Sequence, residues 1–150
     1  MKKTYALSKT AFEAIVKQLA NLEADKHKLV DEFFNDSSYE RTEFELLLDN
    51  YIRRLDDFIR SARPADSVDG SLPFVIIDSR VEVLDIENEE TYSFRVIMPS
   101  VSRDASRDIY DISILSPVGK SLLLKNTGEK VQVNAPGGVF SYEIKSIKFP

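Results

Sequence analysis

The chain holds one histidine, His27, and no cysteine. That removes thiol catalysis, disulfides and thiolate-bound metals, and leaves a lone imidazole with no second ligand beside it. His27 adjoins Lys26 on a helical stretch and reads as a solvated residue. Gly137-Gly138 joins two strand-like runs and opens no helix, so it reads as a turn and not as a phosphate loop. Arg53, Arg54, Arg60 and Arg63 share a helical stretch with Asp56 and Asp57, which favours solvated ion pairs over phosphate binding. Asp36, Glu40 and Glu43 lie together in one short run, Asp36-Ser37-Ser38-Tyr39-Glu40-Arg41-Thr42-Glu43, whose spacing reads first as a helix start. Ser37 and Glu40 have the spacing of a capping box, in which the two side chains satisfy amides at a helix start. Asp36 would be a favourable charge near the same positive helix end.

Two helical series must position these acids. Phe12, Ile15, Leu19, Leu22, Lys26, Leu29 and Phe33 recur in steps of three and four, the period of a coiled-coil seam, with Lys26 as its one polar member. Ser8 is the expected N-cap, with Leu7 and Phe12 placed for a hydrophobic staple. Phe44, Leu48, Tyr51, Leu55, Phe58 and Ala62 form the second series, which Arg63-Pro64 ends. The four-residue link Asn35–Ser38 forces the two helices antiparallel. Residues 1–63 are therefore expected to be a coiled-coil hairpin, a finger of roughly 40 Å at ~1.5 Å per residue. The alternative, two helices folded onto the rest of the chain, draws on Leu47, Ile52 and Ile59, which widen the second apolar face.

Residues 64–73, rich in Pro, Asp, Ser and Gly, read as a linker. Beyond it the period becomes two, in Phe74–Ile77, Val81 and Val83, Tyr92 to Val96, Ile112 and Ile114, Val131 and Val133, and Phe140 to Ile147. Pro117–Lys125 breaks the alternation as a short helix, capped by Ser116 with Pro117 at its first position. The fold class is α+β, a helical hairpin followed by a small antiparallel sheet with one short helix over 74–150. Composition agrees with a globular chain: 150 residues, 43% hydrophobic and 30% charged. A net charge of −5 argues against a free-standing DNA binder. No apolar run approaches the ~20 residues of a membrane helix, and no signal peptide opens the chain. A cytoplasmic location, with no membrane partner, is expected.

Ser116-Pro117-Val118-Gly119-Lys120-Ser121-Leu122, Gly128-Glu129-Lys130-Val131-Gln132-Val133, Ala135-Pro136-Gly137-Gly138 and Tyr142-Glu143-Ile144-Lys145-Ser146-Ile147 resemble, in order and spacing, the C-terminal signature of the bacterial Gre transcript-cleavage factors. Leu7-Ser8, with Phe12-Glu13 and Ile15-Val16-Lys17-Gln18-Leu19, is similar to the start of that family's first helix. One departure is Leu124, where the family usually has glycine. A left-handed conformation is costly for leucine, so that helix end is expected to be built differently.

The resemblance implies an FKBP-like C-terminal domain that docks on RNA polymerase at the rim of its secondary channel. Ser116, Pro117 and the turn Pro136, Gly137 and Gly138 mark the docking region. It further implies that the finger reaches down the channel, where two tip acids help to hold a second Mg²⁺ in the polymerase's own active centre and promote cleavage of backtracked RNA. The protein would need no cofactor, hold no metal alone, touch nucleic acid only through the elongation complex, and not be an enzyme by itself. The tip departs from the family's Gly-Asp-x-x-Glu-Asn-x-Glu-Tyr. Glu40 matches the second acid and Glu43-Phe44 the later Glu-Tyr. Ser37 stands where the first acid belongs, Asp36 one position early, and Arg41 replaces asparagine. A cation there is expected to work against divalent binding. Three readings follow: a cleavage-stimulating factor, a channel-occupying regulator without cleavage (as in inhibitory Gre homologues and nucleoside diphosphate kinase regulators), or a coiled-coil adaptor for an unrelated partner.

Overall fold

Ser8 turns the chain from strand to helix, its hydroxyl accepting the Ala11 amide at 3.1 Å. The computed structural model describes residues 5–66, 68–99 and 109–149. They fall into two compact units, Met1–Asp69 and Gly70–Pro150.

In the first unit, strand β1 (Tyr5–Ser8) leads into helix α1 (Lys9–Phe33), and helix α2 (Tyr39–Arg60) leads into strand β2 (Ala62–Ala65). The two helices pack on each other. On α2 the buried row is Phe44, Leu48, Tyr51, Leu55 and Phe58, as the spacing predicts. On α1 it is Ala11, Ile15, Leu19, Leu22 and Val30, whereas Phe12, Leu29 and Phe33 are only half-buried. A helix of 3.6 residues per turn drifts off a strict 3.5 repeat by ~20° per heptad, which moves the buried row by one position at each end. Lys26 is satisfied within the hairpin by the carboxylate of Asp49, and the Tyr51 hydroxyl donates to Gln18 Oε1.

The second helix ends at Arg60 and not at Arg63. Ser61 closes it, with its amide on Phe58 O at 3.1 Å, while its own carbonyl accepts the Tyr5 amide at 3.0 Å. Ala62 thus leaves the helical series and starts β2, which pairs in parallel with β1 from Tyr5↔Ala62 to Ser8↔Ala65. Pro64 is compatible with such a two-stranded ribbon, where each strand has an open side. The far end of the expected linker is also paired: Ser71 bridges Lys148, and the amide of the buried Leu72 donates to Ile147 O at 2.8 Å.

The second unit is a five-stranded sheet of β3 (Arg80–Asp85), β4 (Glu90–Ile97), β5 (Tyr110–Ser113), β6 (Lys130–Ala135) and β7 (Gly138–Lys148), ordered β5-β4-β3-β7-β6, with helix α3 (Pro117–Leu122) between β5 and β6. Three of its four pairings are antiparallel. The fourth corrects the all-antiparallel expectation: β5 lies parallel to β4, in the register Phe94↔Tyr110 to Ile97↔Ser113. A parallel neighbour needs a connection of about a dozen residues, and twelve residues separate Ile97 from Tyr110 in the sequence.

One face of this sheet carries the core, with Val81, Val83, Phe94, Val96, Ile114, Val133, Ile144 and Ile147 all buried. Ile144 and Ile147 stay on that face although three residues apart, because the register slips between Glu82↔Ser146 and Val83↔Ile144 and leaves Lys145 as a bulge. Phe74–Ile77 forms no strand: it is a buried irregular segment, bridged at Phe74↔Asn126 and followed by a turn at Asp78, whose φ is 74°. The short helix stops at Leu122, earlier than Lys125. Leu124 nevertheless adopts the left-handed conformation, with φ 67°, contrary to the expected different ending. Its amide reaches Val75 O at 2.9 Å, so a paired backbone offsets the unfavourable φ.

Candidate functional site

The acids predicted from the sequence lie at the α1–α2 turn. Phe34 caps α1, its amide donating to Val30 O at 2.9 Å. Asn35, Asp36 and Ser37 are exposed and lie outside regular structure. Ser38 then caps α2, its Oγ accepting the Arg41 amide at 3.2 Å. This corrects the capping box expected from Ser37 and Glu40. The helix begins one residue later, so Glu40 sits in the first turn, one position short of where a box would need it.

The consequence for the acids is direct. Asp36 and Glu40 are both exposed, and among the described residues neither side chain is tied to a backbone amide. Glu43 differs, because its carboxylate accepts the Tyr39 hydroxyl. That bond, the charge of Glu43 and the nearby charge of Glu40 all hold the phenol's pKa above its usual value. Tyr39 is 74% exposed, so this pair lies on the surface of the turn.

Arg41 does not stand as a free cation among these acids. Its Nη2 donates to Asp31 Oδ1 at 2.6 Å, its Nε to Glu45 Oε1 at 3.1 Å, and its Nη1 to the carbonyl of Phe34. Two carboxylates therefore offset its charge, and the expected penalty on divalent binding is reduced at its source. On the same turn, Phe44 packs edge-on to Phe33 at 6.0 Å and tilted to Phe34 at 5.7 Å. Sequence reasoning missed Phe34, Asp31 and Glu45. Only Glu45 carried a signal, four residues after Arg41 on one helix face.

Carboxylates are the donor type that Mg²⁺ takes, and it keeps several waters when bound. Two exposed carboxylates without competing amides suit that role as part of a larger ligand set. Among the described residues, no group of three or more His, Asp or Glu is arranged to hold a metal. His27 is exposed on α1.

The remaining predicted residues fall on two turns of the second unit. Ser116 caps α3: its Oγ accepts the Gly119 amide at 3.0 Å and donates to Ser113 O at 2.7 Å, and Pro117 occupies the first helical position. Gly119 lets α3 approach β5, since a Cβ there would lie 1.9 Å from Ser113 O. Pro136 and Gly137 form the tight β6–β7 turn, closed by Ala135↔Gly138, where Gly138 has φ 132°.

A family model described as the C-terminal region of the transcription elongation factors GreA/GreB matches residues 71–149, the whole sheet unit to within a residue of either end. The chain belongs to the GreA/GreB family. A relative from Acidiphilium cryptum, named transcription elongation factor GreA, is 31% identical over 91% of this chain and 82% of its own. One of the same name from Acetivibrio thermocellus is 29% identical over 97% of each chain. A third, from Thermodesulfovibrio yellowstonii, is 43% identical over 75 residues, which span 50% of this chain and about half, 46%, of that relative. As a GreA/GreB member the protein is a transcription elongation factor by family, and its α+β architecture is the helical hairpin and the five-stranded, mostly antiparallel sheet described above. Among the described residues, no helix is long and apolar enough to cross a membrane.

Proposed function

We propose that the protein binds RNA polymerase through the Gly70–Pro150 unit and delivers the α1–α2 turn into the secondary channel, where it stimulates cleavage of backtracked RNA. The observation that carries this reading is the cap at Ser38. Because the helix start is satisfied there, Glu40 is released from the capping box expected with Ser37, and Asp36, shortly before it in sequence, is exposed. In this role they would complete the ligand set of a second Mg²⁺ in the polymerase's active centre. When bound, that ion stabilises the attacking and leaving oxygens of the phosphodiester. Asp36 and Glu40 would each present a carboxylate oxygen to the ion or to a water bound to it, and catalysis would remain the polymerase's.

The test is a backtracked elongation complex incubated with the protein and Mg²⁺. Shortened RNA is expected, with its rate falling on the order of tenfold or more in Asp36→Asn or Glu40→Gln while polymerase binding persists. Polymerase binding with slowed elongation and no shortened RNA would mean that the turn occupies the channel without promoting cleavage. No association with core polymerase would leave only an adaptor.

A further inference from the structure

We propose that Arg41 is a positioning residue whose guanidinium clamps the α1–α2 turn in the form that presents Asp36 and Glu40. This rests on the reading of those two acids given above. Both ends of the exposed stretch Asn35–Ser37 are tied to residue 41. At the α1 end, Arg41 Nη1 bonds the carbonyl of the capping residue Phe34, and Nη2 holds Asp31, 2.6 Å away. At the α2 end, the Arg41 amide bonds the capping hydroxyl of Ser38, and Nε holds Glu45, 3.1 Å away. One residue thereby sets the spacing of the two helix ends between which Asp36 hangs, and it directly follows Glu40 on α2.

The chemistry of the side chain fits the task. Three nitrogens of one planar group address three acceptors in fixed directions, which a lysine ammonium on a flexible stem cannot reproduce. The side chain is 24% exposed. A partly dry setting strengthens such charge-assisted bonds. In this chain the turn has no glycine, and Arg41 stands where the resemblance places asparagine.

The clamp and a free cation predict opposite signs for one measurement, the Mg²⁺ concentration giving half-maximal RNA cleavage in a backtracked complex. A free cation beside the acids would repel the ion, so Arg41→Gln would lower that concentration and Arg41→Lys would leave it unchanged. For a clamp, Arg41→Gln raises it by about fivefold or more and Arg41→Lys raises it less, because one ammonium still meets one or two of the acceptors. Polymerase affinity stays the same in both variants. In the free protein, amide hydrogen exchange at Arg41 and Thr42 quickens by about tenfold in Arg41→Gln, while amides from Leu48 to Leu55 keep their protection.

An unchanged or lowered Mg²⁺ requirement overturns the proposal even if exchange quickens, since that would be a stabilising contact without influence on the acids. Should Arg41→Gln lose helical circular dichroism, the Lys variant decides alone. Wild-type protein that produces no shortened RNA at any Mg²⁺ concentration overturns the cleavage reading itself, and the positioning role with it. That failure shows before any variant is compared.

Discussion

Asp85 is a buried carboxylate that its own turn keeps ionised. Its Oδ1 accepts the amides of Glu87 at 3.2 Å and Asn88 at 3.3 Å, and its Oδ2 accepts Asn88 Nδ2 at 2.9 Å. The side-chain bond from Asn88 is the largest cause of a pKa held below the usual carboxylate value, outweighing the burial that opposes it. A group whose folded pKa is depressed adds stability above its unfolded pKa, and that stability is lost as pH falls through the folded one. The sheet unit of wild type should therefore melt at a higher temperature than Asp85→Asn at pH 7. The gap should narrow below about pH 4, the unfolded aspartate value. Thermal melts of both proteins at pH 7 and pH 3 check this, because every other carboxylate is common to the two and cancels. No gap at pH 7 would mean that a carbonyl oxygen suffices at residue 85, and a gap that does not narrow would mean that its charge is not what stabilises the turn.

At the scale of elements, α3 depends on one missing side chain. A Cβ on Gly119 would lie 1.9 Å from Ser113 O and 2.8 Å from Ser113 C, both backbone atoms that cannot swing aside. Gly119→Ala should destabilise the sheet unit by about 3 kcal/mol, the upper range of overpacking. Urea unfolding followed by tyrosine fluorescence would report the loss, with the helical signal of α1 and α2 retained. Sequence legibility divides along the same lines. The core of α2 could be read residue by residue from Phe44 to Phe58, because one partner helix buries one row. The shift on α1 from Phe12 to Ala11 could not, since drift along a straight helix depends on length and not on the identity of any one residue. The parallel placement of β5 was hidden because alternation shows which residues face the core but not which way a neighbouring strand runs. Ile144 to Ile147, a step of three in a run of twos, was the legible trace of the bulge at Lys145. At the turn, Ser37-x-x-Glu40 and Ser38-x-x-Arg41 competed for one cap. The box spacing favoured the first, but the Arg41 guanidinium, which reaches back to Phe34 and Asp31 as well as forward to Glu45, goes with the second.

At the scale of the whole molecule, each unit has a core of its own. Ile15, Phe44, Leu48, Tyr51 and Leu55 are sealed within the hairpin, and Val75, Val83, Val96, Ile114, Leu122, Val133 and Ile144 within the sheet, all at 1% exposure or less. A fragment of residues 70–150 keeps the strands, α3 and the Ser71↔Lys148 bridge, and it is long enough to bury a core unaided. If docking on the polymerase and action at its active centre are divided between the units as proposed, the two properties should separate. The fragment should compete with the full chain for polymerase, within about tenfold of its affinity, because one of two linked contacts remains. It should produce no shortened RNA from a backtracked complex. Added in excess, it should suppress cleavage by the full chain, since one docking site cannot hold both. Competition measured with a labelled full chain, alongside RNA length on a gel, reads all three outcomes. A fragment that fails to compete although its circular dichroism shows it folded would place the docking energy in the hairpin, and the assignment of Ser116, Pro117 and the 136–138 turn to the docking surface would fall.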